Sequence, residues 1–334
     1  MAQCGMISRR FFAAVALALP VVGASRAPAS ADAAFTAFLA DVRAEAIGSG
    51  IAAATVDRAF AGLRPNPKVL ELDSRAPERT QSWERYRATR LSDARVAQGR
   101  QAMQANAAIL AEVGQRYGVD PAIVVAIWGL ETNYGSFTGG FSVLEALATL
   151  AADGRRDGFF RRELISALRI IDNGDITPAL MTGSYAGAMG QPQFMPSSFL
   201  TYAVDFDGSG RRDIWNNRAD VLASIANYLA KSGWRPGEPW GQAARVPDGF
   251  AVPRDTRDER PLGAWTALGV SRADGAPFAP PDATGAVVTP DGPGGDAFMT
   301  FGNFTVIRLY NRSDLYALSV GLLADLLAGR AGAF

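Results

Sequence analysis

Apolar residues recur at three- and four-residue intervals from Ala33 to Leu63 and again from Trp83 to Tyr117, among Arg, Asp and Glu. That pattern predicts amphipathic helices laid around a core, with the Pro-containing stretch from Arg64 to Pro77 between them. From Pro121 the pattern changes. Ile123, Val124, Val125, Ala126, Ile127, Trp128 and Leu130 make the next helix apolar all the way round, as a buried helix is. Asp120 offers a capping carboxylate, Pro121 fits the first helical position, and Gly135 suits a left-handed cap, so this helix should run to about Asn133. Helical spacing returns at Leu144 to Ala151, Phe159 to Asn173 and Asp220 to Lys231, and a final amphipathic helix from Ser313 to Leu327 is capped by Ser313. Gly183 to Pro196 holds too many glycines for a regular element and reads as a loop lining a site. From Gly241 to about Thr305 short apolar pieces, such as Ala251-Val252 and Ala286-Val287-Val288, alternate with Pro, Gly and Asp, which predicts a small β-rich insertion. The expected class is mainly α (α+β).

Composition narrows the chemistry. The 334 residues carry 33 basic and 33 acidic side chains, so there is no broad positive surface for a nucleic acid. Histidine is absent and Cys4 is the only cysteine, which excludes Ser-His-Asp and Cys-His nucleophiles and zinc sites built from His or Cys. Lys68 and Lys231 are the only lysines, and Lys68 follows a turn-like Pro-Asn-Pro. Carboxylates are left as the first place to look.

The amino terminus reads as an address. Arg9-Arg10 precedes an apolar run from Ala13 to Ala24 and the small-residue triplet Ala29-Ser30-Ala31, an arrangement similar to a twin-arginine signal peptide spanning residues 1–31. The run is short for a bilayer span; the alternative is a retained anchor. The mature chain is expected to start near Asp32, to be periplasmic, and to have no stable membrane span.

Glu131 is the only carboxylate of the apolar helix and shares a face with Val124, Ile127 and Trp128. Burial and the negative end of the helix both disfavour its ionised form, so its pKa should rise toward the range where a carboxylic acid donates a proton to a leaving oxygen. The alternative is a helix-end glutamate that reaches water or an arginine. Context bears on the choice. Glu131-Thr132-Asn133-Tyr134-Gly135, after Ala126-Ile127-Trp128-Gly129, resembles the catalytic signature of the membrane-bound lytic transglycosylase B family (glycoside hydrolase family 103). Gly187-Ala188-Met189-Gly190-Gln191-Pro192-Gln193-Phe194-Met195-Pro196-Ser197-Ser198 resembles its second signature, and Ala226-Asn227-Tyr228 and Leu309-Tyr310-Asn311 with Tyr316 match further on. Gln191-Pro192 departs from the Tyr-Gly found in some members.

The resemblance implies a core similar to goose-type lysozyme and cleavage of the MurNAc-GlcNAc bond of peptidoglycan without water, leaving a 1,6-anhydro ring. Glu131 would be the sole acid and base, and the substrate's own N-acetyl group would assist. No second carboxylate lies in either signature; Glu163 and Asp157, in an Arg-rich setting, read as a solvated face. By the same resemblance Ser184, Gln193, Phe194, Asn227, Tyr228, Tyr310, Asn311 and Tyr316 would line the sugar groove, with Tyr86 reaching it from a less well matched segment. The domain division expected on this basis is an N-terminal helical part (32–112), a lysozyme-like catalytic core (113–240), the β-rich insertion (241–305), and a C-terminal helix completing the core (306–334).

Asp205, Asp207, Ser209, Arg211 and Asp213 occupy positions 1, 3, 5, 7 and 9 of an EF-hand-like loop over 205–216, with glycine at 6. Asn216 cannot supply the bidentate twelfth ligand, and the family resemblance implies a structural calcium site closed by Asp220. The alternative is an Asp-Gly turn with its acids paired to Arg211 and Arg212. No cofactor is expected for the chemistry itself. The expected partner is the peptidoglycan glycan strand, with proteins of cell-wall synthesis or division as further candidates. Two other functions fit the same sequence less well: a hydrolytic muramidase, and a peptidoglycan-binding protein without catalysis.

Overall fold

The computed structural model describes residues 28–75, 81–250 and 258–330. The expected signal segment up to Ala27, the Ala251-Val252 piece and residues 331–334 lie outside the described residues.

The predicted helix over 33–63 is broken in two, α1 (Pro28–Gly48) and α2 (Ala53–Phe60), at Gly48-Ser49-Gly50, where Gly50 takes φ +87°. The stretch read as a connection contains α3 (Pro67–Ser74): Pro67 starts it, and the Asn66 side chain accepts the Lys68 N–H. The 83–117 region is three helices, α4 (Trp83–Arg90), α5 (Asp93–Ala105) and α6 (Ala107–Tyr117). Ser82 and Ser92 each accept an N–H of the first turn, of Arg85 and Arg95, and so divide what the periodicity alone ran together. Then comes α7 (Pro121–Thr132), whose cap is the expected one: the Asp120 carboxylate accepts the Ala122 N–H at 2.8 Å.

Strand β1 (Phe141–Ser142) leads into α8 (Val143–Asp153) and α9 (Asp157–Asp172), and β2 (Thr182–Gly183) pairs antiparallel with β1. Helix α10 (Pro196–Tyr202) was not anticipated; α11 (Arg218–Lys231) starts two residues before the expected point because Asn217 caps it. The insertion holds β3 (Gly241–Arg245), β4 (Arg260–Pro261), α12 (Leu262–Ala267), β5 (Ser271–Arg272), β6 (Thr284–Val288) and β7 (Ala297–Thr300). Its antiparallel sheet runs β4-β6-β7-β3-β5, with Val287 opposite Met299 and Ala243 opposite Phe298. A second unanticipated helix, α13 (Gly302–Tyr310), follows the sheet, and α14 (Asp314–Ala328) begins at Ser313, whose hydroxyl accepts the Tyr316 N–H. The class is mainly α, as expected, with the two-stranded β1-β2 sheet in addition to the five-stranded one.

Two helical cores result. One gathers side chains of α4 to α7, α11, α13 and α14, with Val288 and Phe298 of the sheet packed against them. The other gathers α1 to α3 and α8 to α10 with Met181, Met189 and Phe194. Helix α7 runs through the first core with every residue from Ala122 to Leu130 buried, and α14 packs along it. Each large aliphatic side chain removed from water there contributes roughly 1.5–3 kcal/mol, so α7 is fixed from all sides and its last turn is held accurately. Tyr228 and Tyr310 pack against both cores, which places them at the seam.

Candidate active site

Helix α7 ends in three successive left-handed residues, Asn133 (φ +48°), Tyr134 (φ +59°) and Gly135 (φ +82°). For the two non-glycine residues this conformation costs of order 1–3 kcal/mol each. Local contacts offset it. The Tyr134 hydroxyl donates to the Arg95 carbonyl at 2.8 Å, and its ring stands edge-on to Trp128 at 5.6 Å. The ring fills a slot between Gly99 and Gly129, where a Cβ would come within 2.4 Å and 2.5 Å of it. At Gly135 a Cβ would sit 2.3 Å from the Gln191 side-chain oxygen. The signature from Glu131 to Gly135 is thus a sharp exit that frees the end of a buried helix.

Glu131 is the one residue of that last turn that is charged and partly exposed. Its Oε1 accepts the hydroxyl of Tyr316, on α14, at 2.7 Å. Burial pushes its carboxyl up to about 7; the Tyr316 hydrogen bond and the positive charge of Arg90 pull the other way and are outweighed. Neither of those two groups is a carboxylate. The Tyr316 hydroxyl, buried and facing Glu131, is held well above its ordinary value, as is that of Tyr310, so both remain protonated donors.

The Gly183 to Pro196 segment is a loop, as expected, but a tightly bonded one. Met189 and Phe194 exchange backbone hydrogen bonds at 2.8 and 3.1 Å, and Ser184 N–H donates to the Ala188 carbonyl. Added Cβ atoms would meet Ala188 O at Gly183, Leu147 at Gly187 and Ile214 at Gly190. Gln191 is buried and joins four segments. Its Oε1 accepts Trp128 Nε1 (3.0 Å) and Arg218 Nη1 (3.1 Å), its Nε2 donates to Trp215 O (2.7 Å), and its carbonyl accepts the Thr132 hydroxyl (2.9 Å). It ties α7 to the loop. Sequence reasoning missed this role, and it also missed Arg218, whose guanidinium lies 4.2 Å from the Trp128 ring centroid.

Of the remaining expected groove residues, three aromatic ones come together. Phe194, Tyr228 and Tyr310 form a cluster with ring centroids 4.7–5.8 Å apart, which Tyr202 extends. Tyr310 donates to Pro192 O (2.7 Å) and Tyr228 to Leu309 O (2.6 Å). Gln193, at φ +53°, donates to Thr138 O and Gly190 O, and Ser184 Oγ accepts the N–H groups of Ala186 and Ala188. Asn227 is buried and donates to Tyr202 O, whereas Asn311 is exposed just past α13. Tyr86 is partly exposed within the field of Glu131, beside Arg90, a neighbour that sequence reading did not single out.

Glu163 is a correction: it is buried, not solvated. Its two oxygens accept the N–H (2.9 Å) and hydroxyl (2.6 Å) of Ser197, capping α10, whose own N-cap, Met195, has no side-chain acceptor of that kind. Asp157 opens α9, and its side chain lies outside the described ones.

In the acidic loop, carboxylate oxygens of Asp205, Asp207 and Asp220 lie within 4.8 Å of one another. Ser209 donates to Asp205, Asp207 accepts from Asn217, and Asp213 accepts the N–H groups of Trp215 and Asn216. Asp220 is fully buried, and its carboxyl is pushed up by burial, with the charges of Asp207 and Asp205 adding to that against two backbone N–H bonds. Arg212 turns away to Asp175 and Arg211 is exposed, so the pairing alternative does not describe this loop. The three carboxylates accept only neutral hydrogen-bond donors among the described residues, and a convergent set of oxygens of this kind suits a hard cation.

A cavity of 710 Å³ lies at the other end of α7, around Asp120, Trp240 and Asp325. Its polar groups bond one another, Arg330 pairing with both acids and Trp240 Nε1 donating to Asp325.

Comparison with known proteins identifies the family. The transglycosylase SLT domain family matches residues 34–325. The membrane-bound lytic murein transglycosylase B of Escherichia coli K12 is 34% identical over 261 residues, 74% of this chain and 68% of that protein. The crystal structure of SltB3 from Pseudomonas aeruginosa in complex with NAG-anhNAM-pentapeptide superposes with a TM-score of 0.85 at 45% identity, covering 90% of this chain and 80% of that one. Escherichia coli SLT35 in complex with calcium has a TM-score of 0.76 at 29% identity, over 89% and 93% of the two chains. The helical core is lysozyme-like. The chain belongs to the transglycosylase SLT domain family and is a lytic transglycosylase of peptidoglycan.

Proposed function

We propose that Glu131 alone performs both proton transfers of a non-hydrolytic cleavage of the MurNAc-GlcNAc bond. The observation that carries this reading is one partly exposed carboxyl held at about 7, with a tyrosine and an arginine and, among the described residues, no second acid acting on it. A protonated Glu131 gives its proton to the bridging oxygen as the C1–O bond breaks, and the carbonyl oxygen of the MurNAc N-acetyl group bonds to C1. The carboxylate so formed takes the proton of the C6 hydroxyl. O6 then bonds to C1, the C1 bond to the acetyl oxygen breaks, and a 1,6-anhydro sugar leaves with Glu131 protonated again. Tyr316 fixes the carboxyl through Oε1 and leaves the other oxygen for the sugar. Tyr86, Tyr228 and Tyr310 offer ring faces to the glycan, Ser184, Gln193 and Asn311 offer polar contacts, and buried Phe194 and Asn227 hold that wall in place. SltB3 was crystallised with a ligand that contains the anhydro sugar, which supports the same product here.

The acidic loop is read as a structural calcium site held by Asp205, Asp207 and Asp220, with Ser209, Asp213 and the Arg211 carbonyl as further oxygen donors; the calcium complex of SLT35 supports this. Among the described residues no helix is long and apolar enough to cross a membrane, and the substrate lies outside the cytoplasm, which supports export to the periplasm by the amino-terminal signal. Mass spectrometry of muropeptides released from purified sacculi tests the reaction: anhydro ends are expected, and reducing MurNAc ends would identify a hydrolase instead.

A further inference from the structure

The glycan backbone of peptidoglycan is neutral where it is cut; its negative charge sits on the lactyl arm of MurNAc. That charge belongs to carboxylates of the stem peptide or, on strands without stems, to the lactyl carboxylate itself. A cation beside the catalytic acid therefore has a natural counterpart in the substrate.

Arg90 is such a cation. It is the last residue of α4, one turn after Tyr86, and its guanidinium carbon lies 5.3 Å from the Tyr86 ring centroid. Its charge reaches both Tyr86 and Glu131. Its neighbours are occupied: Arg87 pairs with Asp296 at 2.8 Å, and Arg95 Nη1 donates to the Gly129 carbonyl. Among the described residues no carboxylate forms an ion pair with Arg90, and it is partly exposed. A helix-end cation gains a little from the helix dipole, but that gain does not require standing over a groove tyrosine within the field of the acid. The planar fork of a guanidinium suits a carboxylate in two-point contact, and the Tyr86 ring limits its rotation.

We infer that Arg90 binds a carboxylate carried on the lactyl arm of MurNAc and so makes the enzyme selective for strands that bear that charge. The inference rests on Glu131 being the acid of glycan cleavage. Binding has a second consequence. Arg90 opposes protonation of Glu131 in the free enzyme, and a bound carboxylate cancels that opposition, so the acid is most fully protonated when the charged substrate is in place.

The test compares wild type, Arg90→Gln and Arg90→Lys on soluble glycan fragments of two kinds, stem-bearing and stem-free, each with its carboxylates free or capped as methylamides. Wild type should lose about tenfold in kcat/KM on capping, the worth of one charge-assisted contact. Arg90→Gln should cleave free and capped fragments equally, at the capped wild-type rate, and Arg90→Lys, which keeps the charge and loses the two-point fork, should keep only part of the selectivity. An effect in the stem-bearing pair alone assigns the carboxylate to the peptide, and an effect in the stem-free pair assigns it to the lactyl group. Equal loss on free and capped fragments, or no loss on either, would overturn the inference. Glu131→Gln in the same assay tests the underlying reading separately, since its inactivity on all four fragments leaves Arg90 to stand or fall alone.

Discussion

Glu131→Gln is expected to raise stability, and only above the pH at which glutamate ionises in the unfolded chain. Burial holds the folded carboxyl at about 7 against an ordinary 4.5. A group whose folded pKa is raised contributes stability that is fully present below the unfolded value. That stability is lost as pH rises through the window from 4.5 to about 7, because the unfolded chain releases a proton the folded one retains. At about 1.36 kcal/mol per unit the full loss is roughly 3 kcal/mol. A glutamine does not ionise, so the loss is absent from the variant, while the Tyr316 hydroxyl still finds an oxygen to donate to. With roughly 2–4 °C per kcal/mol for a domain of about this size, the variant should melt about 6–12 °C above wild type near pH 8. The two should converge at or below the ordinary glutamate value. Circular dichroism melts across that range measure the gap. A gap that does not change with pH, or a variant that melts lower in the alkaline range, would refute the claim that burial keeps Glu131 protonated.

Tyr316→Phe removes the donor that favours the ionised acid, so the descending limb of kcat/KM, expected near 7 in the wild type, should move to higher pH; an unmoved limb would show that Tyr316 does not act on the acid. Gln191→Leu leaves Trp128 Nε1, Arg218 and the Trp215 carbonyl without their partner and should lower stability by roughly 2–4 kcal/mol in urea melts, where an unchanged midpoint would show the network idle. Calcium in large excess over its dissociation constant should add roughly 2.7 kcal/mol by mass action and raise the melting midpoint, and Asp207→Ala should cancel the rise; identical melting in calcium and in chelator would leave the loop a simple turn.

What was legible in the sequence had local causes. The buried α7 follows from its all-round apolar pattern, its start from Asp120-Pro121, and the start of α14 from Ser313. The high pKa of Glu131 follows from placing a carboxylate on such a helix. What was missed had remote causes. Neither α10 nor α13 begins with a capping side chain of its own. The α10 cap is Glu163, and at α13 the Gly302 N–H is donated to Glu238 Oε1 at 2.7 Å while buried Asn303 bonds the backbone of Arg235 and Glu238. Pro196 was the one local signal available for α10. The serine caps that split the 83–117 region were visible as Ser82 and Ser92, and the apolar spacing that runs through them hid their meaning. Gln191 gains its role only from residues dozens of positions away, and the neighbourhood of Arg90 to Glu131 likewise spans distant segments, so no short window of sequence contains them.

The central claim, that one carboxyl performs both proton transfers, is tested most directly by the yield of 1,6-anhydro muropeptides from purified sacculi. The comparison is between wild type and a Glu131→Gln protein shown by its melting to be folded. The account predicts abundant anhydro product from the wild type and none above background from the variant, because the amide can neither give the proton to the bridging oxygen nor take one from the C6 hydroxyl. Substantial anhydro product from the folded variant would contradict it.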